Sequence, residues 1–133
     1  MSLVFIDSSV WIEYFRGKDI LIKNEIHRLL DLNRVALAIP VRIEILSGAS
    51  KKDIKILHSV FSAIPVYYPN LDSWTQMEEW IQIAKNKGFG FGFADLLIAS
   101  IVSANTGAIW SLDSDFVPME KFHFVKNHAM KKF

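Results

Sequence analysis

The chain has 133 residues, 51% of them apolar, no cysteine and a formal net charge of +1. That length suits one domain (residues 1–133) with a core of its own; the missing cysteine excludes disulfides, thiolate metal sites and a cysteine nucleophile; and the near-neutral charge excludes strong whole-molecule attraction to nucleic acid. No apolar run approaches the ~20 residues needed to span a bilayer, and Met1-Ser2 leads into a strand-like run without a basic leader, so neither a membrane span nor a signal peptide is expected and the expected compartment is cytoplasmic.

Leu3 to Ile6 reads as a buried strand, followed by a helix capped by Ser8 or Ser9, running to about Phe15 and closed by Gly17. Ile22, Ile26, Leu29 and Leu30 share one face of a helix from about Asp19 to Leu32. Val35 to Ile39 is the second strand; Pro40 then opens a helix that carries Glu44 one turn inside and closes at Gly48. Ser50 begins the next helix, with Ile54, Leu57, Val60 and Phe61 as its apolar face. Ile64 to Tyr68 suits an edge strand because of Pro65 and Pro69. Asp72 or Ser73 caps a helix with Trp74, Met77, Ile81 and Ala84 at helical spacing, ending before Gly88. Gly88 to Phe93 holds three of the six glycines and reads as a mobile loop leading to a helix from Ala94 to Asn105. Ile109 to Leu112 and Phe122 to Val125 are the last strands. Strands alternating with helices favour a parallel sheet covered on both faces.

Apolar runs hand over to acids at four places: Asp7, Glu44, Asp95, and Asp113 with Asp115. Open α/β sheets gather functional residues at the carboxyl ends of their strands, where acids distant in sequence meet. Clustered carboxylates raise one another's pKa until a cation neutralises them, and an all-oxygen set favours Mg²⁺ or Mn²⁺. Singly, each acid has a plainer use: Asp7 as a helix N-cap, Glu44 in a salt bridge with Arg42 or a lysine, Asp113-Ser114-Asp115 as a turn. Asp95, amid Phe93 and Leu96-Leu97-Ile98, is the hardest to explain that way, since an unpaired buried carboxylate is expensive. The four histidines lack zinc spacing and read as surface or edge residues, and neither a nucleophile elbow nor a phosphate-binding glycine motif is present.

Asp7-Ser8-Ser9 after the first strand, Glu44-Ile45-Leu46-x-Gly48, Asp95-Leu96-Leu97-Ile98-Ala99-Ser100 and Ser111-x-Asp113-x-Asp115-Phe116 together resemble the PIN domain, in particular VapC-type ribonuclease toxins. The ordered set covers essentially the whole chain. The resemblance implies a PIN-like three-layer α/β/α sandwich with a mainly parallel central sheet, and an endoribonuclease dependent on Mg²⁺ or Mn²⁺. It implies that Asp7, Glu44, Asp95 and Asp113 form the catalytic pocket, with Asp115 as a more variable fifth ligand and Ser9 and Ser111 as hydroxyls beside the substrate. It also implies a small antitoxin partner and a homodimer. Two positions depart from the pattern: Gly88 to Phe93 offers only glycine and phenylalanine where a basic residue often precedes the third acid, and Trp110 stands where a smaller aliphatic is common.

Some of Trp11, Tyr14, Phe15, Trp74 and Trp80 are expected to line a partner surface, with core packing as their competing use. Lysines cluster at Lys51, Lys52 and Lys55, and at Lys121, Lys126, Lys131 and Lys132 with His123 and His128; they suit an RNA substrate, although such runs are more often simply solvated. The alternatives are a PIN nuclease of RNA processing or quality control, a receiver-like phosphoacceptor, and a catalytically inactive binding module. The receiver expects paired acids after its first strand and a lysine after its last core strand, and this chain has neither.

Overall fold

A computed structural model describes residues 2–130. In chain order the elements are β1 (Val4–Ile6), α1 (Ser8–Arg16), α2 (Ile20–Asp31), β2 (Val35–Ala38), α3 (Ile39–Gly48), α4 (Lys51–Phe61), β3 (Val66–Tyr67), α5 (Leu71–Asn86), α6 (Phe93–Ala104), β4 (Ala108–Trp110), α7 (Phe116–Lys121) and β5 (Lys126–Asn127). The strands form one sheet in the order β3-β2-β1-β4-β5, and every pairing is parallel. All of β1 and β2 is buried, as strands covered by helices on both faces must be, so the architecture is the expected three-layer α/β/α sandwich. Receiver-type sheets run 2-1-3-4-5, and this order sets that alternative aside.

Local chemistry accounts for most boundaries. Gly17 closes α1 in the left-handed region at φ 70°, Asp19 caps α2 by accepting from Leu21 and Ile22 N–H, and Ser50 caps α4 by accepting from Asp53 N–H. Helix α5 starts earlier than expected. Its cap is Asn70, which forms a reciprocal capping box with Ser73, so Asp72 and Ser73 already lie inside the helix.

The largest correction falls at the end of the chain. Phe122 to Val125 is not a strand; α7, unforeseen, precedes it and the last strand is Lys126–Asn127. His123 at φ 63° interrupts any extended run. Phe122 and Phe124 stack on each other, Phe124 stacks on Trp80, and both meet Phe91 edge-on. The same cluster revises the Gly88–Phe93 segment: Phe89 and Phe91 are tied to Phe122, which pins a stretch whose glycines alone suggested mobility.

The predicted surface aromatics divide. Trp11 and Trp80 are buried in the core, Tyr14 is half-buried, and Phe15 and Trp74 are exposed. Lys51, Lys52, Lys55, Lys121 and Lys126 are exposed as well, while Lys131 and Lys132 lie outside the described residues. His128 is an edge residue with a half-buried ring: its Nε2 lies 2.7 Å from Glu25 Oε2, its ring packs on Trp110, and its N–H donates to Ile109 O. Glu25 also accepts twice from Arg28. The Arg28 hydrogen bonds and, less strongly, His128 hold the Glu25 carboxyl below its usual range against the opposing effect of burial.

Gly107 is required by close approach. A Cβ there would lie 2.8 Å and 2.9 Å from ring carbons of Phe5 and 3.0 Å from Leu3 O. Phe5 is fully buried in β1 and has no room to yield. Gly107→Ala should therefore cost about 1–3 kcal/mol of overpacking, measured as a lower urea midpoint with an unchanged slope.

Candidate active site

Because the sheet is parallel, Asp7, the start of α3, the β3–α5 turn and the Ser111–Asp115 loop all emerge at its carboxyl edge. Asp7 follows β1 directly and its N–H donates to Trp110 O at 2.9 Å, which ties it to β4. It occupies the N-cap position of α1, yet its side chain makes no capping bond. The carboxylate, only 6% exposed, is held from the other side: Ser111 Oγ donates to Oδ2 at 2.6 Å and Ser9 Oγ to the same oxygen at 3.1 Å. Each serine oxygen in turn accepts a backbone N–H of the β4 loop, Ser9 from Leu112 and Ser111 from Asp113, both at 3.0 Å. Charge-assisted bonds of this kind satisfy a buried carboxylate that capping alone would not.

Asp95 sits in the first turn of α6, where Gly92 provides no side-chain cap. A helix N-terminus favours a charged carboxylate by about 0.3–1 kcal/mol, but the opposing effects win. Burial first, then the hydrogen-bonding carboxyl and charge of Asp115, then the charges of Asp113 and Asp7, push Asp95 up to about 6. Asp115, Asp113 and Asp7 therefore all lie close enough to Asp95 to act on its charge. Of the two acids in the Ser111–Asp115 loop, Asp115 acts on Asp95 more strongly than Asp113 does.

Glu44 is set apart from those four. It is exposed on α3, and its Oε1 accepts from Ser8 Oγ at 3.0 Å. Ser8 is the residue the sequence reading missed, taken only as a possible cap; its buried hydroxyl links Glu44 to the residue next to Asp7. Among the described residues the ion pairs are Glu13–Arg16, Glu25–Arg28 and Glu25–His128, so the salt bridge considered for Glu44 does not form. The turn considered for Asp113 does form, with Asp115 N–H donating to Asp113 Oδ1 at 3.1 Å.

Glu44 and Ser8 also border an apolar groove of about 470 Å³ between α1, α3 and α4, lined by Ile12, Phe15, Ile45 and Leu57 among others.

As they stand, no three acidic or imidazole side chains among the described residues converge tightly enough to grip an ion. The donor chemistry nonetheless fits a hard divalent cation. The set is all oxygen, and every side chain that acts on Asp95 among the described residues raises it.

The PIN domain family model matches residues 4–121. This chain belongs to the PIN domain family. Within PIN proteins, it is 43% identical over 49 residues to the VapC ribonuclease Mb1587 of Mycobacterium bovis, an alignment covering 35% of this chain and 37% of that relative. The structure is similar to VapBC-1 from nontypeable Haemophilus influenzae, with a TM-score of 0.79 and 16% identity over 98% of this chain and 99% of that one. It is also similar to DNA-bound VapBC from Salmonella typhimurium, with a TM-score of 0.78 and 15% identity over 96% and 98%. At such identity the likeness is one of fold. No helix among the described residues is long and apolar enough to cross a membrane.

The raised Asp95 has a consequence for the metal-free protein. An acid whose folded pKa lies above its unfolded value makes the native state bind the extra proton, so stability falls as pH rises from about 4 to about 6. Asp95→Asn removes that loss. In EDTA the variant should melt above wild type at pH 7 and converge with it below pH 4, as followed by thermal unfolding across that range.

Proposed function

We propose that this chain is a Mg²⁺- or Mn²⁺-dependent endoribonuclease, the toxin of a VapBC-type toxin-antitoxin pair, acting in the cytoplasm as a homodimer and restrained by a small antitoxin. The observation that carries the reading is the crowding of Asp7, Asp113 and Asp115 on Asp95 at the open edge of the sheet. Such a set is relieved by a hard cation. Support for the RNA substrate comes from the VapC ribonuclease similar to part of the chain, and support for an antitoxin from the VapBC complexes that share the fold.

In this reading Asp7 and Asp95 are the principal ligands, with Asp113, Asp115 and Glu44 completing the set. A bound divalent cation supplies Lewis-acid polarisation of the phosphodiester and an acidified water. The chain supplies position. Ser9 and Ser111 fix the Asp7 carboxylate and so serve the substrate through it, while Glu44, in no ion pair among the described residues, orients a water or accepts its proton. The exposed apolar wall of the groove beside Glu44 suits a partner segment that covers the site.

Wild-type protein should cleave single-stranded RNA with Mg²⁺ or Mn²⁺ and stop in EDTA. Asp95→Asn and Asp7→Asn should fold and lose at least ~10² in rate, and Asp115→Asn should lose less. Wild-type rates in both of the first two variants would refute the assignment. The same cations should raise the thermal midpoint of wild type more than that of the Asp7→Asn/Asp95→Asn double variant.

The biological role has its own test. The chain expressed alone should arrest growth, and co-expression with a small DNA-binding protein encoded beside it should restore growth and yield a stable complex. Harmless expression with intact RNA cleavage points instead to a PIN nuclease of RNA processing.

A further inference from the structure

The Gly88–Phe93 segment, which holds no basic residue, carries three phenylalanines that do not share one fate. Phe89 and Phe91 join the ring cluster with Phe122. Phe93 turns outward, 66% exposed, and stacks on Trp74 with ring centroids 6.3 Å apart and planes 15° from parallel. Trp74 is the exposed tryptophan; Trp11, Trp80 and Trp110 are all buried. An aromatic pair left outside the core loses the burial that makes such residues favourable there, which asks for another use.

Its position supplies one. Phe93 is the first residue of α6, two before Asp95, whose carboxylate folds back to 4.0 Å from where a Cβ on Gly92 would sit. Trp74 lies in the opening turns of α5, which begins where β3 ends at the carboxyl edge of the sheet. The exposed side chains of Tyr68 and Leu71 continue the patch along that edge. Both rings therefore lie at the carboxyl edge of the sheet, the edge that carries the acids.

Resting on the ribonuclease reading, we propose that Phe93 and Trp74 form a stacking platform for an unpaired base of the RNA next to the bond being cut. Near-neutral net charge and the absence of any lysine or arginine from 88 to 93 leave little electrostatic hold on the backbone at this point. Stacking replaces it. Every base has a π-face, so the platform selects single-stranded over paired RNA and tolerates sequence. The nearly parallel rings leave much of their surface to solvent, as a base requires, and Phe93, two residues before Asp95, sets the stacked nucleotide near the acids. These are positioning residues and take no part in bond breaking.

The test uses the full chain and a single-stranded RNA oligonucleotide containing its cleavage site. Trp74→Leu and Phe93→Leu keep an apolar side chain and remove the ring. Each should raise KM about 5- to 100-fold while kcat changes little, and should raise Kd by the same factor in the non-cleaving Asp95→Asn background. Trp74→Phe and Phe93→Tyr should restore binding, and thermal midpoint and oligomeric state should not move. With unaltered protein, an oligonucleotide made abasic at one nucleotide flanking the cut should lose the same factor, and the ring-less variants should not feel that change.

Unchanged affinity in both ring-less variants, or no sensitive abasic position with unaltered protein, overturns the proposal. So does a shift in oligomeric state at unchanged affinity per folded chain, which assigns the patch to a second copy of this chain. Wild type that cleaves RNA with metal while the ring-less variants match it sinks the platform alone. Wild type that neither binds nor cleaves RNA sinks the ribonuclease reading with it.

Discussion

Asp7 must keep a carboxylate at the end of a strand whose every residue is buried, and the manner in which it does so governs the whole edge of the sheet. Had the side chain capped α1, its oxygens would have been turned back onto its own helix. Ser9 and Ser111 instead draw them across the seam between β1 and β4. Because each serine oxygen is held by an N–H of the β4 loop, the acid, the helix start and the loop bearing Asp113 and Asp115 move as one piece. Neutral hydroxyls achieve this without cancelling the charge, which a lysine or arginine would have done.

The rest of the edge is arranged against stability. Asp95 sits at a helix N-terminus that should favour its charge, yet burial and three nearby carboxylates reverse the preference. The sandwich tolerates this because its binding forces lie elsewhere. β1 and β2 are sealed on both faces, and the aromatic cluster around Trp80 and Phe124 closes the far side. A rigid scaffold carrying a locally unfavourable cluster is what ligand uptake can exploit, since the cation then relieves repulsion already present.

The sequence made the topology legible because parallel α/β units announce themselves: short apolar runs, then a capped helix, then another run. Asp7, Glu44, Asp95, Asp113 and Asp115 stand out in the sequence because each follows or opens such a unit. Details that depend on tertiary contact do not. Asn70 caps α5 because its reciprocal bond with Ser73 outcompetes Asp72, a contest that residue preference does not decide. Phe122 to Val125 has strand composition, but its rings are engaged by Phe91 and Trp80, and no local signal reports that. The support Ser8 gives Glu44 across 36 residues was equally invisible.

Serine hydroxyls and a half-buried histidine make side-chain bonds across most of the chain. Ser111 reaches Asp7 across 104 residues, and His128 reaches Glu25 across 103. Long-range contacts of this kind form late, because their loop entropy must be met before they return anything. A chain still emerging during synthesis already contains Asp7, Glu44 and Asp95, with the first of them lacking its strongest hydroxyl and Glu25 lacking its imidazole. Until β4 and β5 dock, the acid edge has members without an arrangement. Competence at this edge is thus a property of the finished chain, and a product that stops before Ser111 carries three of the acids with no means of presenting them.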